Sequence, residues 1–491
     1  YIQVALNMVT GLFLSAFFVR VLGKTEYGIY QTVSAFANYL VLLQFGTGTV
    51  MTRNIAICKA KKASAEEINR NISTIWIINH ILVVFILLLS AVFYCSFDNI
   101  YKLSMTAEQI AYSKKILIFV TGYLVLSYCQ QTLSGIALAM EYYSFASFNA
   151  IARILVRVVC LVVLLMHIPA AILIAVVDMA LSGVMLIWTY YFCKKKCHTV
   201  FSVRLFDLRI LKECLPLSFA ILVQTFVNQA NNNVDKTIVS IVQGPEAVAV
   251  YSVGLYIYSV FSSLTTIPIS MYGPQVARDL SSEKKMEDVV NNLVAPSRFI
   301  VLIGGTVLFG FIAVGKQFVQ LVYGNGYQLS WIIAVIIMIP MLLNMSTGVL
   351  INILDVLNKR WIRSMILLFS TILNIILSLW LVNPLGMVGL AIATAVSTFL
   401  GQIFLSNLYY NKLLNISVLK LYNKIFEGLL GNQIIACMIA CVIVARVSSI
   451  FGAVVVGTIV YCVVFSALYC KFGMKENEKM LFQQLYKRIK K

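Results

Sequence analysis

Fourteen apolar stretches, most close to twenty residues long, leave this chain one class of fold. They run over 1–22, 28–49, 72–95, 116–138, 148–166, 170–192, 217–242, 248–271, 293–314, 331–354, 365–382, 387–408, 429–445 and 451–469. A helix needs roughly 20 apolar residues to cross a bilayer. In lipid, the backbone has to satisfy its own hydrogen bonds, which a helix does. The stretches therefore predict an all-α integral membrane protein with about 14 transmembrane helices. With 60% hydrophobic and 12% charged residues, the composition excludes an ordinary soluble domain.

The net charge of +19 would suit a nucleic-acid partner, but its placement argues for topology instead. With the first residue on the cytoplasmic side and loops alternating, the cytoplasmic loops and tail hold 30 Lys and Arg against 7 outside, and Lys236 is left in the membrane. That asymmetry is the positive-inside rule. It predicts an even number of crossings, both termini in the cytoplasm and no nucleic-acid partner. The tail sets Lys487, Arg488, Lys490 and Lys491 beside Leu481, Leu485 and Ile489. Such a segment suits anionic headgroups or a solvated helix equally. No cleavable signal peptide is evident, and a short cytoplasmic start is expected before residue 1.

The seventh stretch is the least apolar. It carries Gln224, Asn228, Gln229, Asn231, Asn232, Asn233 and then Asp235-Lys236. Gln224, Asn228, Asn231/Asn232 and Asp235 follow helical spacing and share one face. Polar groups in hydrocarbon are costly unless they face protein or a wet cavity. Two readings follow: a stripe lining a hydrophilic path, or a polar seam gluing two helices. Asp178, in the sixth stretch, is the other intramembrane acid. It is either a protonation site for ion coupling or a structural carboxyl. Tyr30, Tyr251, Tyr256 and Tyr258 fit sugar stacking or, for most of them, packing.

Catalytic chemistry finds no footing. No P-loop, GxSxG or HExxH pattern stands in a proper context, and no soluble segment is large enough for a nucleotide domain. Cys193, Cys197 and His198 cluster, but no second ligand pair follows, so no metal or cofactor is expected. The eleven cysteines show no disulfide framework.

The longest basic connection separates two six-helix halves. It divides the chain into an N-terminal lobe over 1–193, a linker over 194–215, a C-terminal lobe over 216–411, two further helices within 429–470 and a basic tail over 471–491. Weak matches recur between the halves. Tyr27-Gly28-Ile29-Tyr30 leads to Arg53 as Val248-Ala249-Val250-Tyr251 leads to Arg278. Pro169 precedes Tyr190-Tyr191 as Pro384 precedes Tyr409-Tyr410. The common offset predicts a parallel repeat.

Arg20-Val21-Leu22-Gly23 followed by Glu26-Tyr27-Gly28-Ile29-Tyr30 closely resembles the first-loop signature of bacterial polysaccharide and O-antigen flippases. Phe45-Gly46-Thr47-Gly48, with Arg53 beyond it, is similar to the end of their second helix. Asp235-Lys236 resembles the acidic-basic pair of their seventh. Asn374, Asn383-Pro384-Leu385-Gly386, Gly389-Leu390-Ala391 and Ala393-Thr394 resemble their eleventh and twelfth helices.

The resemblance implies the multidrug/oligosaccharidyl-lipid/polysaccharide flippase superfamily. It implies two pseudo-symmetric six-helix lobes around a central cavity, alternating access and no enzyme activity. The substrate implied is an undecaprenyl-pyrophosphate-linked oligosaccharide, crossing the bacterial inner membrane toward capsule, O-antigen or lipopolysaccharide. Membrane lipids, a polysaccharide polymerase and chain-length machinery are the implied partners. A lipid II flippase and a drug or cation exporter of the same superfamily are the alternatives. On this reading Gln224, Asn228, Asn231 and Asn232 would hydrogen-bond sugars, while Arg20, Arg53, Lys236 and Arg298 would meet the pyrophosphate. Asp235 would hold Arg20 or Lys236 when no phosphate is bound, and Asp178 or Asp235 would serve ion coupling. Headgroup anchoring is the competing role for Arg20, Arg53 and Arg298.

Overall fold

Long apolar stretches without period-two alternation fold here as helices, and the described residues contain no strand. The computed structural model describes residues 2–282, 285–357, 359–475 and 478, with side chains left out at 2–5, 220, 232, 267, 270 and 360. Most of the basic tail, including Lys487 to Lys491, lies outside them.

The first compact unit, Tyr1–Ser252, holds α1 (Ile2–Leu40), α2 (Thr47–Ala60), α3 (Ala65–Tyr101), α4 (Ala107–Ala139), α5 (Tyr143–His167), α6 (Ile172–Lys196), α7 (Leu208–Gln243) and the start of α8 (Pro245–Met271). The seventh helix belongs to this unit because it packs along α1 and α3. Ser64 caps α3, and Thr106 with Gln109 forms a capping box on α4.

The second unit, Val253–Lys491, holds the rest of α8, α9 (Gly273–Ser281), α10 (Met286–Asn292), α11 (Val294–Tyr323), α12 (Gln328–Ser346), α13 (Ile351–Val356), α14 (Arg360–Ser397), α15 (Ser406–Leu414), α16 (Val418–Phe426), α17 (Leu430–Val444) and α18 (Ile450–Leu468). A π-helical turn over Thr398–Leu405 joins α14 to α15. Segments read from sequence as loops around 272–292 and 409–428 are helical in part. Their apolar residues recur at helical spacing: Val418, Leu421 and Ile425 are buried on one face of α16.

Eleven helices among the described residues are long and apolar enough to cross a membrane, or twelve if the bent pair Val418–Phe426 and Leu430–Val444 is one span. Two of them, Leu6–Ala60 and Trp361–Leu414, run to 55 and 54 residues. At 1.5 Å per residue each is roughly 80 Å long, far more than the ~30 Å hydrocarbon core. Both contain a non-helical glycine, Gly23 (φ 75°) and Gly386 (φ 60°). The expected fourteen crossings require each of these to divide at its glycine.

The first-loop signature has a local physical cause. Gly23 (φ 75°, ψ −179°) breaks α1 in a backbone conformation that residues with a Cβ rarely adopt. Gly244, 221 residues later, takes nearly the same one (φ 80°, ψ −176°) between α7 and α8. Glu26 accepts from the Ala171 amide and from Tyr112 Oη, both at 2.8 Å, beside the start of α6. A carboxylate suits a helix N-terminus, where amides lack partners. A Cβ on Gly28 would stand 1.9 Å from the Pro245 carbonyl oxygen, so only glycine allows that approach. In the second unit, Asn374 donates to Thr394 at 2.9 Å, linking the two halves of α14.

One expectation about charge is corrected. The cytoplasmic total of 30 includes Arg153 and Arg157, yet both lie inside α5, where Arg157 pairs with Asp178. An arginine can sit within a span when a carboxylate on a neighbouring helix neutralises it.

Candidate functional site: the polar faces of the seventh helix

Asp207 caps α7 by accepting from the Arg209 amide at 2.8 Å, and Gly244 ends the helix. Between them the helix carries two polar faces rather than one. Gln229, Asn233, Thr237 and Ser240 lie about half a turn round from Gln224, Asn228 and Asn231.

The first of these faces is a seam. Asn233 accepts from Asn38 at 3.2 Å and donates to Gln229 at 2.7 Å. Thr237 pairs with Tyr39 at 3.2 Å, and Ser240 with Tyr101 at 3.4 Å. These contacts bind α7 to α1 and α3. From sequence, a seam is an option only for the stripe from Gln224 to Asp235; this seam lies on a second face not singled out there, although the spacing of Asn233, Thr237 and Ser240 carried that signal.

The other face is open within its unit. Gln224 and Asn228 are exposed and touch each other at 3.3 Å. Asn231 is half-buried, and the side chain of Asn232 lies outside the described residues. Asp235, on the same face, is only 3% exposed and accepts from Tyr251 at 2.8 Å. Tyr251 is thereby fixed in packing rather than presented to a sugar. Lys236 is half-buried, and no hydrogen bond or ion pair joins it to another described residue.

Two cavities open in the same unit. One, of about 620 Å³, is lined by Arg53, Asn54, Arg70, Asp207, Arg209 and Glu213. Arg53 is exposed in it, whereas Arg70 bonds Glu66 at 3.2 Å. The second, of about 360 Å³, is lined by Gln44, Thr47, Thr52, Gln131, Ser134 and Thr225. Amides and hydroxyls dominate its polar lining, and Gln44 donates to Gln131 at 2.9 Å. Arg20 is exposed near the end of the first half of α1.

Arg298 has a different role from the one expected. It is 2% exposed, and its donors are occupied by Glu478 at 2.7 and 3.2 Å and by the carbonyls of Lys424, Ile425, Glu427 and Gly473. A guanidinium has five N–H groups in a fixed fork, so this set leaves none for a phosphate. Arg298 ties α11 to the α16–α17 bend and to the chain beyond α18. Burial raises the Glu478 carboxyl, but hydrogen bonds from Arg298 and the Lys475 amide outweigh it and hold the group below its usual range. Asp178 is likewise occupied, gripped by Arg157 through Nε at 2.5 Å and Nη2 at 2.9 Å. Sequence reasoning missed Arg157 as its partner, because 21 residues and a turn separate them.

Solved structures share this fold across most of the chain. A lipid II flippase, MurJ, in an inward closed conformation has TM-score 0.71 at 15% identity, covering 96% of this chain and 98% of that one. An inward-facing multidrug resistance MATE family transporter of the MOP superfamily has TM-score 0.64 at 14% identity, covering 84% and 95%. Among curated proteins, the probable low-salt glycan biosynthesis flippase Agl15 of Haloferax volcanii is 25% identical over 126 residues. That match spans about a quarter of each chain, 25% of this one and 26% of Agl15. The family described as polysaccharide biosynthesis protein matches residues 3–278. That match takes in more than half of the sequence, and the chain belongs to this family of multi-span membrane proteins.

Proposed function

We propose that this protein is a flippase that moves undecaprenyl-pyrophosphate-linked oligosaccharides across a bacterial inner membrane by alternating access, with both termini in the cytoplasm. The observation that carries the reading is the open face of α7. Gln224 and Asn228 stay exposed on a helix of a membrane protein; half-buried Lys236, about a third of a turn round from Gln224, lacks a partner among the described residues. Amides facing hydrocarbon would be costly, so this face borders water or substrate. Amide donors and acceptors suit sugar hydroxyls, and an ammonium suits a phosphate. Arg53, exposed in its cavity, and Arg20 are further candidates for the pyrophosphate. The polyprenyl tail needs no polar site and stays in lipid. The family's link to polysaccharide biosynthesis supports a glycan-bearing substrate over a drug. A polysaccharide polymerase and chain-length machinery would act on what this protein delivers.

Deleting the gene in its host tests the reading. Lipid-linked oligosaccharide should accumulate in the inner membrane while surface polysaccharide is lost. Accumulation of lipid II instead would favour a peptidoglycan role, and sensitivity to cationic drugs alone would favour an exporter.

A further inference from the structure

The interior stripe of α5 runs through Asn149, Arg153, Arg157, Leu161 and Leu165 at four-residue spacing. The opposite side, with Val156, Val159 and Val163, is exposed and apolar, as a lipid-facing surface would be. The stripe is closed at Asn149 (6% exposed) and Leu161 (0%). Between them the Arg157 side chain keeps 32% of its surface exposed, and Arg153 is also half-buried rather than sealed. Both arginine side chains therefore keep part of their surface accessible about halfway along a membrane-spanning helix.

The two arginines differ in how they are neutralised. Arg157 is paired with Asp178 through two hydrogen bonds. Among the described residues, Arg153 meets neutral groups alone: it donates to Ser182 at 3.1 Å and lies 5.7 Å from the Tyr123 ring centroid. Ser182 is itself shared with Ser127 at 3.1 Å. One hydrogen bond and one ring leave most of a guanidinium fork unused. An uncompensated charge at this depth is costly and is retained where it has a partner or a task.

We propose that Arg153, positioned by Ser182 and Tyr123, forms an anion site inside the first unit that takes a phosphate oxyanion. The Arg157–Asp178 pair beside it adds no net charge but keeps a second guanidinium within reach. Guanidinium forks match phosphate oxygens in a bidentate geometry that an ammonium cannot reproduce. The oxyanion can come from a lipid headgroup or from a free phosphate. The site stands apart from the α7 face and does not depend on the function proposed for it.

Binding to the full chain in phosphatidylcholine nanodiscs tests this, with a fluorescent short-chain isoprenyl pyrophosphate as probe and anisotropy as readout. Arg153→Gln should weaken probe binding about tenfold with the melting temperature kept, as expected for losing a charge-assisted contact. Arg153→Lys should fall between the two, and it carries the test if Arg153→Gln does not fold. Lys236→Gln serves as the separate control for the α7 face. Competition by inorganic pyrophosphate points to a free anion as the source; competition only by phosphatidic acid placed in the disc points to a headgroup. Unchanged probe affinity when Arg153→Gln or Arg153→Lys is added to folded Lys236→Gln protein, in which α7 no longer offers an ammonium, would overturn the proposal.

Discussion

Tyr251 donates a hydrogen bond to Asp235 at 2.8 Å, and both side chains are buried in the first unit. The acid of the seventh helix is thus held by the helix that follows it. Tyr251→Phe removes the donor while keeping the ring. A hydrogen bond contributes about 0.5–1.5 kcal/mol net. We expect a clearly lower melting temperature, with substrate binding retained in the protein that folds. Loss of binding without loss of stability would instead place Tyr251 at the substrate.

Arg157 and Asp178 should behave as a unit. Removing one partner strands the other charge, whereas replacing both with apolar residues removes the problem. Arg157→Met and Asp178→Leu should each destabilise by about 1–3 kcal/mol, less than for a sealed pair because Arg157 is partly exposed. The double variant should cost less than the sum. A double-mutant cycle read by thermal melting would show it, and strict additivity would contradict the pairing.

The Arg298–Glu478 contact predicts an acid-sensitive tie. Glu478 titrates below its ordinary value of 4.5 in the folded chain. Its contribution is therefore complete above that value and is lost as pH falls through the lower, folded one. The melting temperature of the parent should drop in that acid range more than that of Glu478→Gln, which lacks the charge at every pH. Parallel curves would show that the contact does not contribute.

Much of this architecture was legible because lipid imposes few solutions. Apolar length alone marked the helices, and the gaps between stretches at 23–27 and 383–386 hold the glycines, Gly23 and Gly386, at which the long ones break. The polar run of α7 was visible, but its division into a seam and an open face was only half read. Asn233, Thr237 and Ser240 meet Asn38, Tyr39 and Tyr101, residues far away in sequence. Arg298 resembled a phosphate ligand because a lone arginine near a helix start carries no mark of its partners. Those partners, Glu478 and four backbone carbonyls, lie more than a hundred residues away. Local pattern gives helices and faces; pairing between distant helices needs the fold.

On the open face, Gln224→Leu with Asn228→Leu should keep helix and insertion, since both changes add apolar volume to a helix already in lipid. Sugar binding should fall by about tenfold, roughly one to two lost hydrogen bonds at 0.5–1.5 kcal/mol each. Binding of a soluble pyrophosphoryl-oligosaccharide, measured by calorimetry on the purified variant, checks this. Parent affinity would mean that the amides serve only packing.

Translocation itself tests the central claim most directly. Proteoliposomes carrying the purified chain are loaded with a fluorescent undecaprenyl-pyrophosphate oligosaccharide, and its arrival in the opposite leaflet is followed by a membrane-impermeant quencher. We predict transfer far faster than in empty vesicles, slowed about tenfold by Lys236→Gln, which removes the ammonium proposed to meet the pyrophosphate. Transfer in parent vesicles no faster than in empty ones would contradict the account.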